Sequence, residues 1–157
     1  METGALVVID DPLMERRTAE SLLACNEELE KYGLRLTERQ AAALARARTS
    51  ALKECGRIEW NGSAVDRLLL AFCSSPYIDG DSCEDTLREL IGLFYELKNG
   101  TWDKISDDDV IAFMKNAFNG RCRGSLELLN DEAFRLSEHI RRGRTIESYK
   151  EGQDGNA

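Results

Sequence analysis

The sequence predicts an all-α fold, a single-domain bundle of about six helices over residues 1–143. Hydroxyl caps at Thr37, Ser82 and Ser106 each stand three residues before an acid or amide, and apolar residues follow at helical spacing. Glycines stand where the preceding helical patterns run out, which is where helices end. These glycines are Gly33, Gly56, Gly100, Gly120 and Gly143.

The first three helices are predicted at 14–31, 38–55 and 63–74. The apolar face of the first helix begins at Leu22 and ends before Gly33. The apolar face of the second helix contains one charged residue, Arg48. The third is apolar on nearly every side, which predicts a central position. Between the second and third helices, residues 57–60 alternate as a strand does, and residues 5–9 are the candidate partner for a short two-stranded β ribbon.

The last three helices are predicted at 83–99, 107–118 and 125–142. Three aspartates begin the fifth helix, where the positive end of the helix dipole stabilises acids. Residues 144–157 have no apolar periodicity, so we expect a disordered C-terminal tail.

Composition argues against several classes of function. The chain has 157 residues and a net charge of −8, which opposes binding to nucleic acid and to anionic membranes. No signal segment is visible, and the five cysteines form no CxxC pair, so we expect reduced thiols in a cytoplasmic protein. No phosphate-binding glycine loop or zinc-ligand spacing occurs, so no cofactor and no metal are expected.

Catalytic chemistry has little support in the sequence. His139 is the only histidine, and its place near the end of the sixth helix is that of a boundary residue stabilised by the helix dipole. Asp79 begins a stretch that invites comparison with a calcium loop, but Glu84 and Leu90 stand where glycine and glutamate are required. The chain is therefore more consistent with a non-enzymatic protein.

Two loops and one arginine are the candidate ligand- or partner-binding elements. Loops 74–79 and 121–125 combine hydroxyls, charges and an aromatic ring, although helix capping is the alternative explanation. Cys122 lies between two arginines before a helix start, which favours the thiolate. Arg48 either pairs with an acid or holds an anion in a cleft. The candidate residues are Arg48, Ser74, Ser75, Tyr77, Asp79, Arg121, Cys122, Arg123 and Ser125.

Several of these segments resemble an uncharacterised family of small bacterial proteins. The resemblance rests on residues 72–79, 119–127, 34–38 and 56–60, and it extends from about Glu28 to Arg141. It implies a bacterial, cytosolic origin. It implies no activity, cofactor or catalytic residue.

Three hypotheses follow for function. The first is a protein-interaction or regulatory module whose partner is another protein, with a homo-oligomer as a further option. The second is a small anionic-ligand binder or enzyme, which requires both loops and Arg48 to lie around one cleft. The third is a helix-turn-helix nucleic-acid binder, which requires a basic face at Arg39, Arg46 and Arg48 or at Arg141, Arg142 and Arg144.

Overall fold

The computed structural model of the chain describes residues 12–59 and 64–155, and the regular structure in these ranges is helical. The all-α class is therefore confirmed, whereas the count of six helices is too low. The α-helices are α1 Pro12–Ala24, α2 Asn26–Leu29, α3 Glu38–Cys55, α4 Ala64–Phe72, α5 Cys83–Gly100, α6 Asp107–Asn119, α7 Leu126–Arg141 and α8 Ile146–Gly155, and a 3-10 helix, Glu30–Tyr32, follows α2.

The predicted β ribbon is not confirmed. Residues 57–59 carry no strand, while residue 60 and the proposed partner at 5–9 lie outside the described residues. The side chains of this segment instead bind α5 and the turn that follows it. Arg57 forms a two-point ion pair with Asp103, and Glu59 accepts a hydrogen bond from Tyr95 of α5.

The predicted first helix is divided at Cys25. The buried side chain of Asn26 accepts a hydrogen bond from the Leu36 backbone N–H at 2.8 Å and donates to the Leu36 carbonyl at 2.9 Å. This pair of bonds fixes the chain that returns toward α3. Asn26 and Leu36 are ten residues apart, and a contact at that separation does not alter the helical spacing of the apolar residues. The apolar pattern therefore predicted one continuous helix.

The chain end differs from the disordered tail that we expected, because residues 146–155 form α8. Ile146 and Tyr149 are buried three residues apart on one helix face, and the Thr145 hydroxyl accepts a hydrogen bond from the Ser148 backbone N–H at 3.0 Å. An apolar face of two residues is too short to register as a periodic pattern.

The centre of the bundle is α5 rather than α4. The α5 helix packs against α3, α4, α6 and α7, and it buries Leu90, Tyr95 and Leu97 completely. In α4, by contrast, Leu70 is 40% exposed, so the prediction of a central third helix is wrong. The position of α5 leaves part of its length facing solvent, and a groove forms there between α3 and α7.

Candidate functional site

The two predicted loops meet at the C-terminal end of α6. The Ser75 hydroxyl donates to the Asn119 side-chain carbonyl at 2.6 Å and accepts from the Tyr77 backbone N–H at 3.2 Å. The Tyr77 ring stands edge-on to Phe118, with ring centres 6.2 Å apart. Two of the three elements that the anionic-ligand hypothesis requires, the two loops, therefore lie together.

A close backbone approach holds the loops together. Gly124 has a φ of +80°, and a Cβ atom built there would lie 2.6 Å from Cβ and Cγ of Tyr77. The preceding residue, Arg123, has a φ of +50°. The backbone of one loop thus lies directly on the tyrosine of the other, and only glycine fits at the contact.

Other polar groups of the loops form local hydrogen bonds at the starts of α5 and α7. The Ser125 hydroxyl accepts from the Leu128 backbone N–H at 3.2 Å at the start of α7. Before α5, the Asp79 carboxylate accepts from the Ser82 backbone N–H at 2.9 Å, and hydrogen bonds from Ser82 lower the pKa of this carboxyl. The Ser82 hydroxyl accepts from the Asp79 backbone N–H and not from α5, so the predicted cap at Ser82 is wrong. Ser74 is exposed. Local hydrogen bonds at helix starts therefore account for many of the polar side chains in these loops.

Cys122 does not have the environment of a reactive thiol. Its side chain is 1% exposed, and burial raises its pKa, with a further increase from Glu132 and an opposing effect of Arg121. Desolvation outweighs the neighbouring guanidinium, so the expectation of a stabilised thiolate is wrong.

Arg48 is buried and bound to partners away from both loops. Its Nε donates to the Glu59 carboxylate at 3.1 Å and its Nη2 to the Glu59 carbonyl at 3.1 Å, while Nη1 lies 3.4 Å from the Thr18 hydroxyl. Tyr95 donates to the same carboxylate oxygen at 2.7 Å, and burial followed by Glu59 raises its pKa. Arg48 thus belongs to an internal ion-pair network and not to a cleft with the two loops.

Four of the six arginines named for a basic face are paired with acids, and Arg48 with Glu59 is one of them. Arg39 lies 3.1 Å from Glu84, and Arg141 and Arg142 each lie 3.6 Å from Glu138. These pairs reduce the positive potential that phosphate recognition needs. The feature that would have favoured a helix-turn-helix binder is therefore missing at these positions.

A groove runs along α5 between α3 and α7, and we call it the acidic groove. Its wider part has a volume of about 780 Å³, an apolar floor and carboxylates on its walls. A second part of about 320 Å³ shares three lining residues with it and reaches Gly100 and Phe134. The floor contains Gly92, Leu93 and Leu126, and the carboxylates are Glu54, Asp85, Glu89 and Glu96.

The helical spacing of α5 produces this arrangement. Asp85, Glu89 and Glu96 are four and seven residues apart, so they lie on one helix face. Arg88 on the same wall pairs with Glu84 at 2.8 Å and with Asp85 at 3.2 Å. Glu54, Glu89 and Glu96 leave the lining of the wider part negative, whereas the second part is lined by Glu96 and Arg141. The sequence did not reveal this site, because exposed acids on an amphipathic helix are common and only the position of α7 turns this face into a groove.

A smaller cleft of about 280 Å³ opens between α6, α7 and α8, and it receives Arg121. We call it the Glu132 cleft, because Glu132 at its base is 5% exposed. One carboxylate oxygen accepts from Tyr149 at 2.8 Å, and the other accepts from Arg135 at 3.0 Å and Arg121 at 3.5 Å. The side chain of Arg121 therefore lines this cleft, which is separate from the contact between Gly124 and Tyr77.

Two features are absent from the described residues. Over 12–59 and 64–155, no group of three or more His, Cys, Asp and Glu side chains could hold a metal ion. No helix within the same ranges is both long enough and apolar enough to cross a bilayer.

His139 lies at the boundary between α7 and α8. Its ring nitrogen is 2.7 Å from the Ser148 hydroxyl, and its ring stands edge-on to the ring of Tyr149.

The protein is a helical bundle that carries an acidic groove on its surface. The chain belongs to a family of unknown function, DUF6323, whose sequence model matches residues 21–146. The resemblance to an uncharacterised family is therefore confirmed. The match ends at the first residue of α8. No curated protein and no solved structure matches the chain.

Proposed function

We propose that this protein is a non-enzymatic, cytoplasmic interaction module whose acidic groove holds a basic, amphipathic segment of another protein. The observation that carries the proposal is the composition of the groove, which combines an apolar floor with carboxylates from two helices. Such a surface complements a chain segment that presents apolar side chains on one face and lysines or arginines beside them.

The dimensions of the acidic groove favour a polypeptide over a small molecule. The α5 face runs from Asp85 to Gly100, which at 1.5 Å per residue is a length of roughly 22 Å. The two parts of the groove share Leu93, Glu96 and Asn130, so an occupant can extend from one into the other. A helix of about four turns matches that length.

The floor of the acidic groove has room for an apolar side chain of the bound segment. A Cβ atom at Gly92 would meet nothing within 4 Å, so the absence of a side chain there leaves open space against α5. Leu93 lies beside this space, and Phe134 on the rim is 64% exposed. Buried apolar anchors supply most of the affinity of a protein interface, whereas exposed charge pairs mainly steer association.

The experiment uses a fluorescent amphipathic peptide of leucine and lysine, with its binding measured by anisotropy. Glu89→Lys/Glu96→Lys reverses two groove carboxylates, and Glu20→Lys/Glu27→Lys reverses two exposed carboxylates on α1 and α2. Both variants change the net charge equally. We expect the groove variant to weaken binding by at least about tenfold and the control variant to have little effect.

A third variant tests the floor without changing any charge. Gly92→Leu places a side chain in the open space, and it should reduce peptide affinity while circular dichroism shows an intact helical fold. Equal weakening by the groove and control variants would show non-specific electrostatic attraction and contradict the proposal. Undiminished binding by Gly92→Leu, or failure of the wild-type protein to bind the peptide, would also contradict it.

A further inference from the structure

The acidic groove becomes narrower along α5. A Cβ atom built at Gly92 would meet nothing within 4 Å, whereas one built at Gly100 would lie 2.7 Å from the hydroxyl oxygen of Ser137 on α7. Gly92 lines the wider part of the groove and Gly100 lines the second part. On a helix these two positions are roughly 12 Å apart. The groove is therefore open at Gly92, and α5 and α7 pack directly on each other at Gly100.

The charge of the lining changes in the same direction. Four carboxylates and one arginine, Arg88, line the wider part. One carboxylate, Glu96, and one arginine, Arg141, line the second part. The Arg141 guanidinium is fixed there because its Nε donates to the Gly100 carbonyl at 2.9 Å. A basic side chain is therefore attracted to the wider part and gains little from the second part.

The charge of Arg141 is shared with only one nearby acid of α7. The Glu138 carboxylate lies 3.6 Å from Arg141 and 3.6 Å from Arg142, so it faces two guanidinium groups. Both distances are longer than a normal hydrogen bond. A lysine or arginine of a bound segment would therefore meet a like charge in the second part of the groove.

The second part is lined mainly by apolar side chains. Leu93 and Leu97 of α5 face Ala133 and Phe134 of α7 across it. Phe134 is 64% exposed, the highest exposure of a large apolar side chain in the described ranges. Aromatic rings pack well on one another in edge-on and offset arrangements. An aromatic side chain of a partner would thus cover Phe134 and fill this end of the groove.

We infer that the acidic groove binds a segment with two unlike halves, an inference that rests on the proposed function. The basic half of the segment lies over the wider part. The other half is apolar, carries no lysine or arginine, and packs an aromatic side chain against Phe134 in the second part. The groove therefore selects the order of basic and apolar residues in its partner, and not positive charge alone.

Three leucine-rich peptides of equal length test this selection by fluorescence anisotropy. All carry one phenylalanine at the same position. The first has lysines in both halves. The second has lysines only in the half without the phenylalanine and glutamines in the other half. The third has the composition of the second with its lysines spread evenly. We expect the second peptide to bind within about twofold of the first and at least about fivefold more tightly than the third.

The outcomes separate this inference from the proposed function. If the third peptide binds as tightly as the second, or the first binds more than about tenfold more tightly than the second, the groove reads only positive charge. Either result overturns the inference and leaves the proposed function in place. Failure of the wild-type protein to bind any of the three peptides overturns both.

Reversal of the charge at Arg141 tests its role in this selection. Arg141→Glu should make the first peptide bind several-fold more tightly than the second, because lysines then meet a carboxylate in the second part of the groove. Arg142→Glu is the matched control, since Arg142 contacts the same Glu138 carboxylate and does not line the groove. The ratio of the two affinities is compared, because a general loss of structure does not change it. Equal changes of this ratio in both variants would overturn the inference.

The aromatic contact is tested on the same helix. Phe134→Ala should weaken binding of the second peptide several-fold, because the partner ring loses the side chain that it packs on. Leu128→Ala is the control, since Leu128 is 47% exposed on α7 and does not line the groove. It should leave the affinity unchanged, and equal weakening by the two variants would overturn the role of Phe134.

The position of each half can be observed directly with a nitroxide label on the second peptide. A label at the basic end should broaden the backbone amide NMR signals of Glu89 and Gly92 in the wider part. A label at the phenylalanine end should instead broaden those of Gly100 and Ser137. The opposite pattern, or the same broadening by both labels, would overturn the inference.

Discussion

Replacement of Gly124 by alanine tests the contact that joins the two loops. The residue has a φ of +80°, and left-handed backbone costs an L-residue about 1–2 kcal/mol. The new Cβ would also lie 2.6 Å from Cβ and Cγ of Tyr77, well inside normal contact distance. Forcing extra atoms into a packed region costs about 1–3 kcal/mol, so we expect a total loss of about 2–5 kcal/mol.

The matched control is Gly143→Ala. Gly143 has a φ of +84°, and a Cβ atom there would meet nothing within 4 Å, so it carries the backbone cost alone. Urea unfolding of both variants gives the two free energies of unfolding. The difference between them measures the steric contact with Tyr77, and we expect it to be about 1–3 kcal/mol.

A double-mutant cycle completes this experiment. In a Tyr77→Gly background the overlapping side-chain atoms, Cβ included, are absent, so Gly124→Ala should cost no more than Gly143→Ala does in the wild type. If Gly124→Ala and Gly143→Ala destabilise the wild-type protein equally, the close approach of the two loops is refuted.

Three further predictions concern other parts of the fold. Arg48→Ala should cost about 3 kcal/mol in urea unfolding, near the lower end for breaking a buried pair, because the side chain of Glu59 is 21% exposed and can be hydrated. Gly92→Ala should raise the free energy of unfolding by about 0.5–1 kcal/mol, because it removes a helical glycine without a clash. Arg57 lowers the pKa of Asp103, so this ion pair contributes stability above the unfolded pKa of the carboxyl and loses it as the pH falls. Asp103→Asn should therefore cost less than about 1 kcal/mol at neutral pH, as expected for a half-exposed pair, and nothing in acid unfolding below the folded pKa.

Helix boundaries that depend on local chemistry could be predicted from the sequence. The predicted second helix agrees with α3 at both ends, because Thr37 and Gln40 form a capping box and Gly56 takes the left-handed conformation at its end. Ser106 caps α6 in the same local manner, by accepting from the Asp109 backbone N–H. These signals need only neighbouring residues, so no knowledge of the tertiary structure is required.

Features that depend on distant residues could not be predicted. The division at Cys25 follows from the bonds between Asn26 and Leu36, and α8 is held by Tyr149 on Glu132. Arg48 was recognised as a charge on an apolar stripe, but its partner Glu59 lay in a segment that the alternating pattern favoured as a strand. Both concave surfaces likewise form only where α7 packs beside its neighbours.

The acidic groove is tested most directly by alkylation of Cys55, which lines it. Cys55 is partly exposed, whereas the other four cysteines, Cys25, Cys73, Cys83 and Cys122, are buried, so it should react first with a small maleimide. We predict that the leucine–lysine peptide slows this reaction as it saturates the protein, and that a leucine–glutamate peptide of equal length does not. An unchanged rate at saturating leucine–lysine peptide would contradict the proposal that the groove holds a basic segment.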